Sequence, residues 1–102
     1  MILSALLLTM AADIPAAAPR QQFSTCLRRF MVAKAEEGME REAFGTAINT
    51  ACAEQETAYR TAYIAAATRQ GDSRAAATRD ATLEIDDLRA NFRDQYRMAD
   101  AE

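Results

Sequence analysis

The sequence predicts an all-α protein with an elongated three-helix arrangement, in which a short first helix is disulfide-linked to a long second helix and the second and third form an antiparallel hairpin. Three observations lead there. The composition favours helix: half the residues are apolar, alanine supplies many of them, and the chain has only three glycines and two prolines. Alanine gives up no side-chain entropy on entering a helix. From Phe23 onward, apolar residues recur every three or four positions, never in strict alternation. Finally, the two cysteines, Cys26 and Cys52, lie at equal distances on either side of Met39. A chain reversal there brings the two thiols level on neighbouring helices.

Residues 1–12 carry no charged side chain and form an apolar run of signal-peptide length, too short to span a bilayer as a helix, which needs ~20 residues. Thr9 and Ala11 suit cleavage after Ala11, and cleavage after Ala12 is an alternative. No Lys or Arg precedes the run, so either the α-amino group supplies the positive charge or translation starts upstream; a further alternative is an N-terminal helical turn packed on the domain. Residues 13–22 read as a tether, because Pro15 and Pro19 favour extended conformations before them and remove backbone donors. The helical domain then covers residues 23–102.

The first helix is expected at about 23–37, with Phe23, Cys26, Leu27, Phe30 and Met31 on one face. Gly38 ends it by taking the left-handed conformation that satisfies the last carbonyls. The second is expected at about 40–70, with a stripe of Phe44, Ala47, Ile48, Ala51, Gln55, Ala58, Tyr59, Ala62 and Ala66, and with Glu40 and Glu42 at the favourable end of its dipole. Gly71 stops it, and Asp72 or Ser73 caps the third helix at about 73–99. That helix has the cleanest pattern: Ala77, Ala81, Ile85, Leu88, Phe92, Tyr96 and Ala99. Folding back at Gly71 sets Ala62 opposite Ala81 and Tyr59 near Ile85. The Gly71 end then becomes a thin, alanine-lined arm that frays or pairs with another surface.

A bridge between Cys26 and Cys52 closes a loop of about 25 residues, worth on the order of 3 kcal/mol in the loop-closure treatment. It also implies an oxidising compartment. The alternative is a pair of reduced, buried cysteines acting as small hydrophobes.

Signals for chemistry are few. Histidine is absent, which removes Ser-His and Cys-His pairs and ordinary zinc sites, and two cysteines alone cannot close a structural zinc site. No Cys-x-x-Cys is present. Glu36, Glu37, Glu40 and Glu42 lack the loop spacing that wraps calcium and read as a solvated turn. No catalytic residue, metal or cofactor is therefore assigned. The net charge of -3, from 12 basic and 15 acidic residues mixed along the chain, lacks the basic excess of a nucleic-acid binder.

Two surfaces qualify for contact with a partner. Arg89, Arg93 and Arg97 form a basic ridge that either holds an anion, a lipid headgroup or an acidic partner, or pairs with nearby acids as a salt-bridged flank. Ile64 and Leu83 lie nearly opposite their stripes, with Tyr63 beside them, and read either as incidental exposure or as a contact surface on the arm. Gln55, polar within an apolar stripe, sits at the core edge or beside a ligand space.

The pattern Cys26-Leu-Arg-Arg-Phe30, Glu42-Ala-Phe44, Ala51-Cys52-Ala-Glu54 and Ala58-Tyr-Arg60 resembles small exported two-cysteine all-helical proteins of alphaproteobacteria with no assigned function. Periplasmic chaperones of the Spy and CpxP type are similar in size and hairpin architecture, but their Leu-Thr-x-x-Gln motif is missing here. Lysozyme-inhibitor-like helical domains also pair a cysteine with a later tyrosine, and they typically use more cysteines. The expected function is a non-enzymatic, periplasmic or secreted protein that binds another envelope protein, chaperone-like or inhibitor-like, with no nucleic-acid partner and no stable membrane span. The alternatives are a structural, self-associating helical protein, for instance a homodimer, and a cytosolic thiol redox protein.

Overall fold

The computed structural model describes residues 16–101, with side chains through residue 97. The signal-like segment and its cleavage site lie outside the described residues. Four helices follow in order: α1 (Ala17–Glu36), α2 (Arg41–Ala47), α3 (Ala53–Arg69) and α4 (Arg74–Ala101). Among the described residues there is no strand.

The first helix begins six residues earlier than its apolar stripe, inside the expected tether. Pro19 does not prevent this, because it occupies the third helical position, where the missing N–H would have no intrahelical acceptor. Both expected glycine stops are in place. Gly38 (φ 76) and Gly71 (φ 109) are left-handed. Met39 N donates to Lys34 O at 3.0 Å, and Asp72 N to Ala67 O at 3.1 Å. These six-to-one bonds close α1 and α3 in the manner of a Schellman motif. Ser73 caps α4, its Oγ accepting from Ala76 N at 3.1 Å.

The long second helix is the main correction to the three-helix expectation. It is two helices, separated by a tight turn over 48–52. Here N–H groups donate three residues back: Asn49 to Thr46, Thr50 to Ala47 and Ala51 to Ile48, at 3.2–3.3 Å. Cys52 then adopts φ 62, ψ 43, a left-handed conformation that costs a non-glycine residue roughly 1–2 kcal/mol. Cys52 is bonded to Cys26 with Cα atoms 6.1 Å apart. The disulfide thus joins α1 to the residue that opens α3.

The break changes which residues α3 buries. Along one uninterrupted helix, Ala58 would share a stripe with Ile48 and Ala51, while Ile64 would face away. In the folded chain Ala58 is exposed and Ile64 is buried at 9% exposure. The left-handed residue at 52 rotates α3 about its own axis relative to α2, so one helical phase cannot describe both.

Two apolar clusters result. The larger contains Phe23 and Leu27 of α1, Phe44 of α2, Ile48 and Ala51 of the turn, Tyr59 of α3, and Ile85, Leu88, Phe92 and Tyr96 of α4. Phe44 and Tyr96 stack at 3.9 Å between ring centroids, and the Tyr96 hydroxyl donates to the Met39 carbonyl. The smaller cluster gathers Ile64, Ala67, Ala77 and Ala81, with Tyr63 against both. The end near Gly71 therefore has a core of its own, supplied by the isoleucine that the sequence pattern placed outside.

Candidate functional site

The best-built polar constellation lies at the break between α2 and α3. A turn that interrupts a helix leaves carbonyls without intrahelical donors. At this break α4 supplies donors to Ala51 O and, beside the Ala51 N–H, to Ile48 O. Arg89 is only 6% exposed, and it donates from Nε to Ile48 O and from Nη2 to Ala51 O, each at 2.9 Å. Its Nη2 also lies 2.7 Å from a carboxylate oxygen of Glu56. The guanidinium sits 5.1 Å from the Phe23 ring centroid, within cation–π range. Glu56 in turn receives Arg60 Nη2 at 3.2 Å. Burial raises the Glu56 carboxyl, but the hydrogen bonds and charges of Arg89 and Arg60 outweigh it and hold the group below its ordinary value.

This arrangement corrects the expected basic ridge. Arg89 is spent inside the protein on two carbonyls and one carboxylate and presents no surface to an anion. Arg93 lies next along α4, with Nε 3.4 Å from Gly45 O and Nη2 2.6 Å from Asn49 Oδ1. Arg97 alone of the three is fully at the surface.

The expected contact patch on the arm also separates into unlike parts. Leu83 is 56% exposed and remains available to a partner. Ile64 is core, packed with Ala67, Ala77 and Ala81, so the patch cannot use it without unfolding. Tyr63 is half-buried and meets Tyr59 edge-on at 6.1 Å. The hydroxyls of both tyrosines titrate above the usual range, first through burial. The carboxylate of Glu84 adds to the effect at Tyr59, and those of Asp80, Glu84 and Asp72 at Tyr63. Gln55 is half-buried at the core edge.

An apolar groove that the sequence pattern did not single out lies between the second half of α1 and the last turns of α4. Met31, Val32, Ala35, Glu36, Gln95 and Tyr96 line it, around a space of about 450 Å³. Val32 stands in it at 48% exposure. The signal was present in the sequence: Val32 falls off the α1 stripe, as Leu83 falls off the stripe of α4. Chemically the groove offers apolar surface with one carboxylate at its rim, suited to holding a side chain. Among the described residues no group of three or more Cys, Asp or Glu is placed to hold a metal ion. No described helix is long and apolar enough to cross a membrane. No protein-family model, curated protein or solved structure matches this chain.

Proposed function

We propose that this is an exported, non-enzymatic helical protein that works by binding another exported protein, with α3 and α4 as its antiparallel hairpin and the α1–α4 groove as its contact surface. The observation that carries the reading is the groove itself: a beta-branched side chain half exposed over apolar walls, where burial would remove apolar surface from water at about 25 cal/mol per Å². The occupant that fits is an aromatic or branched aliphatic side chain of the partner. The Cys26–Cys52 bond favours an oxidising compartment and counts against a thiol-based role, and the resemblance to small exported two-cysteine helical proteins points the same way. The test is a photo-crosslinking residue at position 32, with position 94 as an exposed control, in cells that export the protein. A discrete adduct at 32 that Val32→Asp suppresses in competition supports the reading; equal labelling at both positions overturns it. Intact-mass measurement of the exported protein, expected to lack its first 11 or 12 residues, checks the compartment.

Leu83 favours a second reading. An exposed leucine on the outer face of α4 suits self-association into a helical assembly. Sedimentation at micromolar concentration separates the two, since a monomer throughout sinks the assembly.

A further inference from the structure

Helix α2 contains a glycine that the packing does not demand. Gly45 lies inside a seven-residue helix, Arg41–Ala47, where glycine is the poorest helix former after proline. A Cβ built on it would meet Cδ and Nε of Arg93 at 3.7 Å, an ordinary contact that requires nothing to move. Its φ is not left-handed, unlike that of Gly38 and Gly71. Neither backbone conformation nor crowding explains the absent side chain.

What surrounds this glycine is positive. Arg41, Glu42, Gly45, Arg93 and Arg97 line a depression of about 360 Å³ between α2 and α4, with three guanidinium groups against one carboxylate. Arg93 is held in place by Gly45 O and Asn49 Oδ1 through Nε and Nη2, and among the described residues no acceptor faces its Nη1. Arg97 stands one turn on, at the four-residue spacing where like charges repel. Among the described residues no carboxylate pairs with it. Arg41 has interactions of its own.

From these observations we infer that the depression at Gly45 is an oxyanion site: it takes the phosphate group of a phosphomonoester, held by Arg93 and Arg97, with the stem of Arg93 lying against the bare backbone of Gly45. Guanidinium groups bind tetrahedral oxyanions through paired, charge-assisted hydrogen bonds, and glycine lets the main chain be approached closely, here by the Arg93 side chain. The space exceeds that of a phosphate group alone, so the organic part of the ester lies along Glu42, whose carboxylate accepts a hydroxyl. This site is separate from the α1–α4 groove, and the two can fail independently.

The experiment uses the full, disulfide-bonded chain. Inorganic phosphate and glycerol phosphate are titrated at low ionic strength and followed by amide NMR shifts. Vesicles containing phosphatidic acid, a lipid phosphomonoester, with phosphatidylcholine vesicles as control, are tested by cosedimentation. Saturable shifts centred on residues 45, 93 and 97 are expected, with affinity reduced about tenfold or more in Arg97→Glu. Gly45→Ala is expected to weaken binding while raising the melting temperature, an opposition that no loss of folding could produce. Binding to free glycerol phosphate without vesicles assigns a soluble ester, and binding to phosphatidic acid vesicles alone assigns a headgroup. Non-saturable shifts, or equal affinity in Arg97→Glu, overturn the inference.

Discussion

Replacing Arg89 with alanine removes a donor from two carbonyls, of which Ile48 O keeps the Ala51 N–H, and the partner of a carboxylate in a single step. Ile48 O and Ala51 O each lose a charge-assisted bond of 2.9 Å, of a kind worth about 1.5–3 kcal/mol. Glu56, at 25% side-chain exposure, loses its closer cation and keeps Arg60. The carbonyls lie beside the buried Ile48 and Ala51, so water can compensate only by entering the space left by the side chain. Because Glu56 keeps Arg60 and part of its surface, the loss is set by the two carbonyl bonds, about 3 kcal/mol at the lower end of their range. In urea, with a slope near 1 kcal/mol per molar for a domain this small, the unfolding midpoint falls by about 3 M. Arg89→Lys is expected to fall between, because one ammonium cannot reach both carbonyls and Glu56 with the guanidinium's planar geometry. The assay is urea unfolding of the oxidised protein followed by circular dichroism. A loss below about 1 kcal/mol in Arg89→Ala would show that the turn closes without α4 and would refute the reasoning.

Glu56 gives a pH dependence of known sign: its folded carboxyl lies below the ordinary 4.5, so its contribution is complete above that value and is lost as pH falls through the lowered one. The stability gap between the native protein and Glu56→Gln should therefore be constant near neutrality and narrow below about pH 4.5; a gap independent of pH would contradict this. Reduction, or replacement of both cysteines by alanine, is expected to cost about 3 kcal/mol by loop closure. With Cys26→Ala as background, glycine at position 52 should be more stable than alanine by about 1 kcal/mol if the left-handed turn survives without its bond, and chemical denaturation of the two variants decides it. Ile64→Ala should cost about 2 kcal/mol and Leu83→Ala less than about 0.5 kcal/mol; equal losses would place both side chains in the same environment and contradict the observed burial.

The helical class, both glycine stops and the cap at Ser73 were legible because each rests on local rules. Apolar spacing needs only one helix to be seen, and a left-handed residue after a helix end needs only glycine. The buried face of α4 was legible for the same reason: from Ala77 to Tyr96 the helix is continuous, so a single phase describes it. The cysteine pair was legible by symmetry about the Gly38 turn. The apolar groove went unseen although Val32 carried its signal, because a groove exists only once α1 and α4 are side by side.

What the sequence determined by itself is therefore a set of helix-forming segments, their stops and the sulfur bridge between them. Only the tertiary structure decided that the second segment breaks at 48–52. That stretch, Ile-Asn-Thr-Ala-Cys, contains neither glycine nor proline to announce a turn. The turn is stabilised by an arginine about 40 residues further along the chain and is tied to α1 by Cys26. Such long-range partners leave no local periodicity, yet they set the rotation of α3. The same decision buries Ile64, leaves Leu83 outside, and commits Arg89 to the interior while Arg93 and Arg97 face the depression at Gly45.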